Sequence, residues 1–400
     1  MSFDAMWAEL LPVGRSAATG GYRRHAWNSA DAECRAWFEQ QARTRGLAYR
    51  TDRNGNQWAW HGDPAAGNAV VTGSHLDSVP DGGAYDGPLG VVSAFAAYDE
   101  LRSRGAGFTR PLAIVNFGDE EGARFGVACV GSRLATGALD REAAYALRDA
   151  DGVRLPDAME RAGHDPALIG PDPELLGRIG AFVELHVEQG RFLAERQPVG
   201  VAGAIWPHGR WRFDFHGEAN HAGTTLLADR RDPMLTYATT VLAARKKARL
   251  AGALATFGKV AVEPNGTNAI ASLVRGWLDS RAPDERTLGQ LVESIGQSAV
   301  ERGERDGVRV ELTRESYTPV VDFDAPLRDR LAKLLDAPVL PTGAGHDAGI
   351  LASAVPTAML FVRNPTGVSH SPAEHAERAD CHAGVRALAT ALEDLACRPS

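Results

Sequence analysis

The chain is poor in the features that would mark several protein classes. It has four cysteines in 400 residues, Cys34, Cys129, Cys381 and Cys397. None of them forms a C-x-x-C pair, which excludes a disulfide framework and a cysteine zinc or iron–sulfur site, and points to a reducing cytoplasm. No apolar run approaches the 18 or so residues that cross a bilayer. The first residues, M-S-F-D-A-M-W-A-E-L-L, lack a basic segment and a long apolar stretch. Phe3, Met6, Trp7, Leu10 and Leu11 instead recur at helical spacing, so an amphipathic helix is expected there and not a signal peptide. Lysine and arginine are scattered and the formal charge is -8. That balance argues against nucleic acid or an anionic membrane as a partner. There is no G-K-[S/T], no internal repeat and no low-complexity segment.

The length exceeds one typical domain, and 44% hydrophobic with 24% charged residues supports a real core. Four short apolar runs, 69–72, 111–117, 181–185 and 358–362, each lead into a polar, glycine-containing segment. Helical patterns over 29–45, 89–104 and 381–395 alternate with them. This predicts an α/β protein with a mostly parallel, doubly wound sheet. Residues 209–322 read differently. W-R-F-D-F-H-G alternates with period two, a helix is expected over about 232–250, and two further strand-like runs follow. The pattern predicts an inserted α+β domain of the βαββαβ kind. The larger domain would then comprise 1–208 and 323–400.

Ligands of open α/β sheets bind beyond the carboxyl ends of the strands. Four such ends here carry metal-type side chains: His75, Asp77 and Asp86; Glu120 and Glu121; His186; and His370. Each motif alone has a plainer reading. H-x-D is a common surface pair, Asp86-Gly87 a turn, Asp119-Glu120-Glu121 an acidic helix start, and a lone histidine a core residue. Their convergence from four strands favours a metal site. His75 and Asp77 project to one side of an extended segment, where Asp77 can accept the histidine's second N–H. One glutamate of the acidic run can bind an ion while its neighbour moves a proton. Histidine and carboxylate donors suit zinc, manganese or cobalt. Ser371-Pro-Ala-Glu374 reads as a capping box that starts a helix. Gly343-Ala-Gly345-His-Asp-Ala-Gly349 has the glycine spacing of a dinucleotide loop. It lacks the acidic residue that such a loop needs some 20 positions on, so His346 and Asp347 read better as site residues.

Six strings are decisive together: H-L-D-S-V-P-D-G-G-A-Y-D-G, F-G-D-E-E-G-A-R-F, E-L-H-V-E-Q-G, A-N-H-A-G-T-T, T-G-A-G-H-D-A and G-V-S-H-S-P-A-E. They resemble, in order and over residues 70–380, the di-metal amidohydrolases that act on ureido groups. That family holds allantoate amidohydrolase, N-carbamoyl-L-amino-acid hydrolase and β-ureidopropionase, within the di-zinc aminopeptidase-like clan. The resemblance implies two divalent ions per subunit, zinc or manganese with cobalt as a further option. His75 and His186 would hold one ion, Glu121 and His370 the other, with Asp86 between them. Glu120 would be the general base and Asp77 would support His75. His221 would stabilise the oxyanion in a neighbouring subunit of a homodimer formed through 209–322. Asn268 and Arg281 would hold the substrate carboxylate, and Gln189 and His346 the ureido end. The expected activity is hydrolysis of a ureido C–N bond in a small carboxylate, with allantoate favoured and an N-carbamoyl-L-amino acid or 3-ureidopropionate as alternatives. A clan peptidase or aminoacylase would typically carry an acidic residue at His186, and a metal-free binding homologue would have lost ligands that are present. The chain departs from the family at Leu226-Leu227, where Pro-Met is common, and at Ala269–Ser272, where a proline-containing run is usual. Both departures bear on substrate choice.

Overall fold

The computed structural model describes residues 2–397. Fifteen strands follow in chain order: β1 (Ala48–Thr51), β2 (Gln57–His61), β3 (Ala69–His75), β4 (Leu112–Phe117), β5 (Ile179–Val187), β6 (Val199–Ile205), β7 (His208–His216), β8 (Asn220–His221), β9 (Leu254–Glu263), β10 (Ala269–Ile270), β11 (Leu273–Arg281), β12 (Arg309–Thr318), β13 (Val321–Asp322), β14 (Val339–Thr342) and β15 (Thr357–Val362). The chain divides into two compact units. One runs to Gly203 and resumes at Asp322; the other is Ala204–Val321.

The first unit is built on a sheet of order β1-β2-β4-β3-β5-β15-β6-β13, with β14 on β6. Its centre, β4-β3-β5-β15, is parallel, and β1, β2 and β6 add antiparallel flanks. Every residue of β3, β4 and β15 is buried, as expected of parallel strands covered on both faces. Side chains alternate between those faces. Ile114, Val183, Leu185, Leu360 and Val362 join one core with the helices Pro88–Ser103 and Arg378–Ala396. Phe117 and Phe182 meet edge to face on the opposite side, where the short helix Asp347–Leu351 also packs, with the amide of Ala348 donating to Glu184 Oε2. The predicted helices are present as Ser29–Thr44, Pro88–Ser103 and Arg378–Ala396. Asn28 caps the first of them and Ser29 is its first helical residue. The N-terminal amphipathic helix is Phe3–Leu10, with Phe3, Met6 and Leu10 buried.

The second unit is a sheet of order β12-β7-β11-β9, with every pairing antiparallel. The helices Pro233–Ala251 and Glu285–Asp306 lie between strands in sequence, which gives the βαββαβ sequence of elements. Leu288, Leu291 and Ile295 of the second helix meet Phe213, Phe215 and Val274 in its core. A two-stranded ribbon, β8 with β10, sets His221 opposite Ala269.

Candidate metal centre

Because β3, β4, β5 and β15 are parallel, their carboxyl ends share one edge, and the segments that follow them converge there. Asp86 stands at the middle. Its Oδ1 lies 3.1 Å from His186 Nε2 and 3.5 Å from His75 Nε2, and its Oδ2 lies 3.3 Å from His370 Nε2. His370 is 3.6 Å from Glu121 Oε2. His75, Asp86 and His186 form one group of closely spaced ligand atoms, and Asp86, Glu121 and His370 another that shares Asp86. Of the seven metal-type residues named from the sequence, the five expected to hold the ions lie in these two groups.

Local structure explains the convergence. Gly87 adopts φ +84°. A Cβ at this position would collide with the imidazole of His75, so only glycine lets the Asp86 loop close over that ring. His75 Nδ1 faces Asp77, 3.2 Å from its carbonyl and 3.4 Å from Oδ1. Asp77 also accepts the amides of Glu120 at 3.1 Å and Glu121 at 3.0 Å. One carboxylate therefore orients a histidine and fixes the turn that presents both glutamates. His186 Nδ1 lies 2.9 Å from the Val187 carbonyl, which leaves Nε2 to face Asp86.

The donor chemistry fits divalent cations. Among the described residues no lysine or arginine pairs with Asp77, Asp86, Glu120 or Glu121; their charged neighbours are the histidines. The Nε2 atoms of His75 and His186 are buried and make no hydrogen bond. Buried, unpartnered donors and clustered carboxylates are costly unless a cation takes them up. Burial would raise Asp86, but His186, His370 and His75 more than offset it and hold the carboxyl well below its usual range. Burial raises Glu120 well above the carboxylate range; His75 opposes this, while Asp347, Glu121 and Asp86 add to it. Burial, and then Asp86, brings Glu121 to about 7. Asp86 holds His370 at about 9.

Glu120 Oε2 stands 3.7 Å from His75 Nε2, beside the cluster and outside both ligand groups. Gln189 donates to Asp86 Oδ2 at 2.8 Å and to Ser369 Oγ at 3.1 Å, tying the β5 loop to the loop that carries His370. His346 packs its ring on His186 with centroids 4.5 Å apart, and its Nε2 is buried without a hydrogen bond. Burial, then His186, depress its basicity well below the ordinary histidine range.

Two features depart from the sequence reading. Ser371–Glu374 does not start a helix; the next one begins at Arg378. Glu374 Oε1 instead accepts the amides of Tyr85 and Asp86, each at 3.0 Å, and so fixes the central ligand's backbone. A capping pattern states only that a side chain can reach nearby amides, and here distant amides outcompete them. Glu184 also escaped notice. It is fully buried and accepts from Ser74 Oγ at 2.6 Å and from Ala348 N at 3.0 Å. Its period-two relation to His186 on β5 was the available signal.

In the second unit, His221 and Asn268 are neighbours: the Ala222 amide donates to the Asn268 carbonyl at 2.9 Å. Arg281 ends the nine-residue β11, eight steps of roughly 3.4 Å, or about 27 Å, beyond Leu273. Its Nε donates to Asp279 at 2.9 Å.

The model of the family described as peptidase family M20/M25/M40 matches residues 71–394. The chain is 35% identical over 399 residues to the N-carbamoyl-L-amino acid amidohydrolase of Geobacillus stearothermophilus, covering 96% of each chain. It is 32% identical over 388 residues to the allantoate amidohydrolase of Escherichia coli strain K12, covering 94% of this chain and 93% of that one. A solved amidase of the hydantoinase/carbamoylase family from Burkholderia multivorans superposes with a TM-score of 0.89 at 30% identity, over 100% of this chain and 98% of the other.

Proposed function

The chain belongs to the peptidase family M20/M25/M40, and we propose that it is a metal-dependent amidohydrolase that cleaves the ureido C–N bond of a small carboxylate. The observation that carries this reading is Asp86 ringed by the three imidazoles of His75, His186 and His370, with Glu120 beside them. In this proposal His75 and His186 would hold one divalent ion and Glu121 and His370 a second, with Asp86 serving both. Bound there, the ions would supply an acidified water and a polarised carbonyl.

The chain's own residues supply the rest. Glu120, its carboxyl raised well above the usual range by burial, takes a proton from the attacking water and passes it to the leaving nitrogen. Asp77 keeps Glu120 in place through its amide and fixes the tautomer of His75. The C–N bond breaks to give an amine and carbamate, which decomposes to ammonia and carbon dioxide. Gln189 and His346 face the cluster as polar contacts for the ureido group. His221 stabilises the oxyanion in the site of a second copy in a homodimer. Asn268 and Arg281 hold the substrate carboxylate.

Allantoate is the favoured substrate, on the likeness of the N-terminal half to proteins of that activity. The slightly higher identity to the N-carbamoyl-L-amino acid amidohydrolase, 35% against 32%, favours a second reading in which the substrate is an N-carbamoyl-L-amino acid. Ammonia release from allantoate, N-carbamoyl-L-amino acids and 3-ureidopropionate tests both. Release from carbamoyl amino acids without release from allantoate would overturn the favoured substrate, and release from none would overturn the activity.

A further inference from the structure

Each carboxylate of the cluster is aimed by hydrogen bonds. Asp77 accepts two amides, Asp86 accepts from Gln189, and Glu121 Oε1 accepts the Val79 amide at 3.3 Å. Glu120 is held differently. Among the described residues its carboxylate has one hydrogen-bond donor, the thiol of Cys129, with Sγ 3.6 Å from Oε1. The other oxygen, Oε2, is the one that faces His75 Nε2.

The thiol reaches Glu120 because two segments dock backbone to backbone. The amides of Cys129, Val130 and Gly131 donate to the carbonyls of Glu120, Asp119 and Gly118 at 2.6, 3.0 and 2.9 Å. A Cβ on Gly131 would strike Asn56 Oδ1 and the Gly118 carbonyl, so the close approach requires glycine there. Cys129 itself takes φ +58°, a left-handed conformation that disfavours any residue but glycine. A side chain kept at such a position, buried and directed at one carboxylate, points to a use for that side chain. Burial pushes the thiol well above its ordinary range, and Glu120 and Asp347 push it the same way. The sulfur therefore keeps its proton and can donate it. A weak donor suits the place, because a strong hydrogen bond to the carboxylate would lower its basicity.

We propose that Cys129 is a positioning residue for the general base: its thiol holds Oε1 of Glu120, so that Oε2 is presented to the attacking water. This rests on the reading of Glu120 as the base and adds a residue that the sequence strings did not single out.

The test compares metal-loaded wild type with Cys129→Ser, Cys129→Ala and Cys129→Gly. The substrate is whichever of allantoate, an N-carbamoyl-L-amino acid or 3-ureidopropionate the wild type hydrolyses. Serine keeps a donor, alanine removes it, and glycine removes it while relieving the left-handed backbone. One lost hydrogen bond corresponds to about a tenfold change in rate. Alanine and glycine are expected to lower kcat by about that factor with KM and ion content unmoved, and serine to recover most of the loss. In Glu120→Gln protein, Cys129→Ala should cost nothing further, because the thiol acts through Glu120. A loss that adds to that of Glu120→Gln, or a serine variant no better than alanine, overturns the role of Cys129. So does a change in kcat below about twofold, the margin within which independent substitutions add. Crystal structures of metal-loaded wild type and Cys129→Ala read the same contact without turnover. The carboxylate of Glu120 is expected to leave its place in the variant, and an unmoved carboxylate overturns the proposal. Absence of ammonia release by wild type would overturn the activity instead, and the crystal structures would still decide the cysteine.

Discussion

Around Asp86, three imidazoles, two from the ends of strands β3 and β5 and one from the loop after β15, approach within 3.1–3.5 Å of one carboxylate, an arrangement in which each group restrains the protonation of the others. The consequence is measurable. In the metal-free chain His370 is held at about 9 by Asp86, and Glu121 at about 7 by burial and Asp86. Both must lose a proton before they bind a cation, so ion affinity should rise with pH across this window. Above pH 7 at least one proton, that of His370, should be released on binding, since carboxylate neighbours also raise His75 and His186 against the effect of burial, giving roughly a tenfold or larger gain per pH unit. Calorimetry in buffers of different ionisation enthalpy counts that proton, and a flat profile would contradict the assignment. Replacing Glu120 by Gln should cut kcat by about 10²–10⁴ while both ions remain, since Glu120 stands outside both ligand groups. Metal analysis beside the rate separates loss of the base from loss of the site. At this scale the sequence was informative about which residues carry chemistry and silent about second partners. His75 with Asp77 follows from a two-residue spacing. Glu374 holding the amides of Tyr85 and Asp86 joins segments nearly three hundred residues apart, and no local pattern announces it.

Four parallel strand ends do most of the assembly at the scale of elements, and they were legible because fully buried strands read as unbroken apolar runs. Helices were legible from their periodicity, with ends displaced by a residue or so where Asn28, and not Ser29, supplies the cap. The capping box at Ser371 failed because its glutamate had a better use elsewhere. What no periodicity can reveal is a glycine needed for a ring that belongs to another strand. Gly87 is that case. Gly87→Ala would force a left-handed backbone that disfavours alanine by about 1–2 kcal/mol and would push a methyl group into His75. The variant should lose ion binding more severely than it loses folding. Metal stoichiometry after dialysis and the melting temperature, taken together, check this; full metal content would refute the account of the loop.

For the whole molecule, the division into a unit that carries the histidine–carboxylate cluster and an inserted four-stranded unit was visible as a change from buried apolar runs to alternating strands. Ions that bind only the folded chain stabilise it by mass action, so chelation should lower the melting temperature and either zinc or manganese should restore it. The most direct test of the central claim joins that cycle to chemistry: ammonia release from ureido carboxylates by chelator-stripped protein, titrated with zinc or manganese. The account predicts no release from the stripped protein and recovery that saturates at two ions per chain. Undiminished release without any divalent ion, or recovery complete at fewer than two, would contradict it.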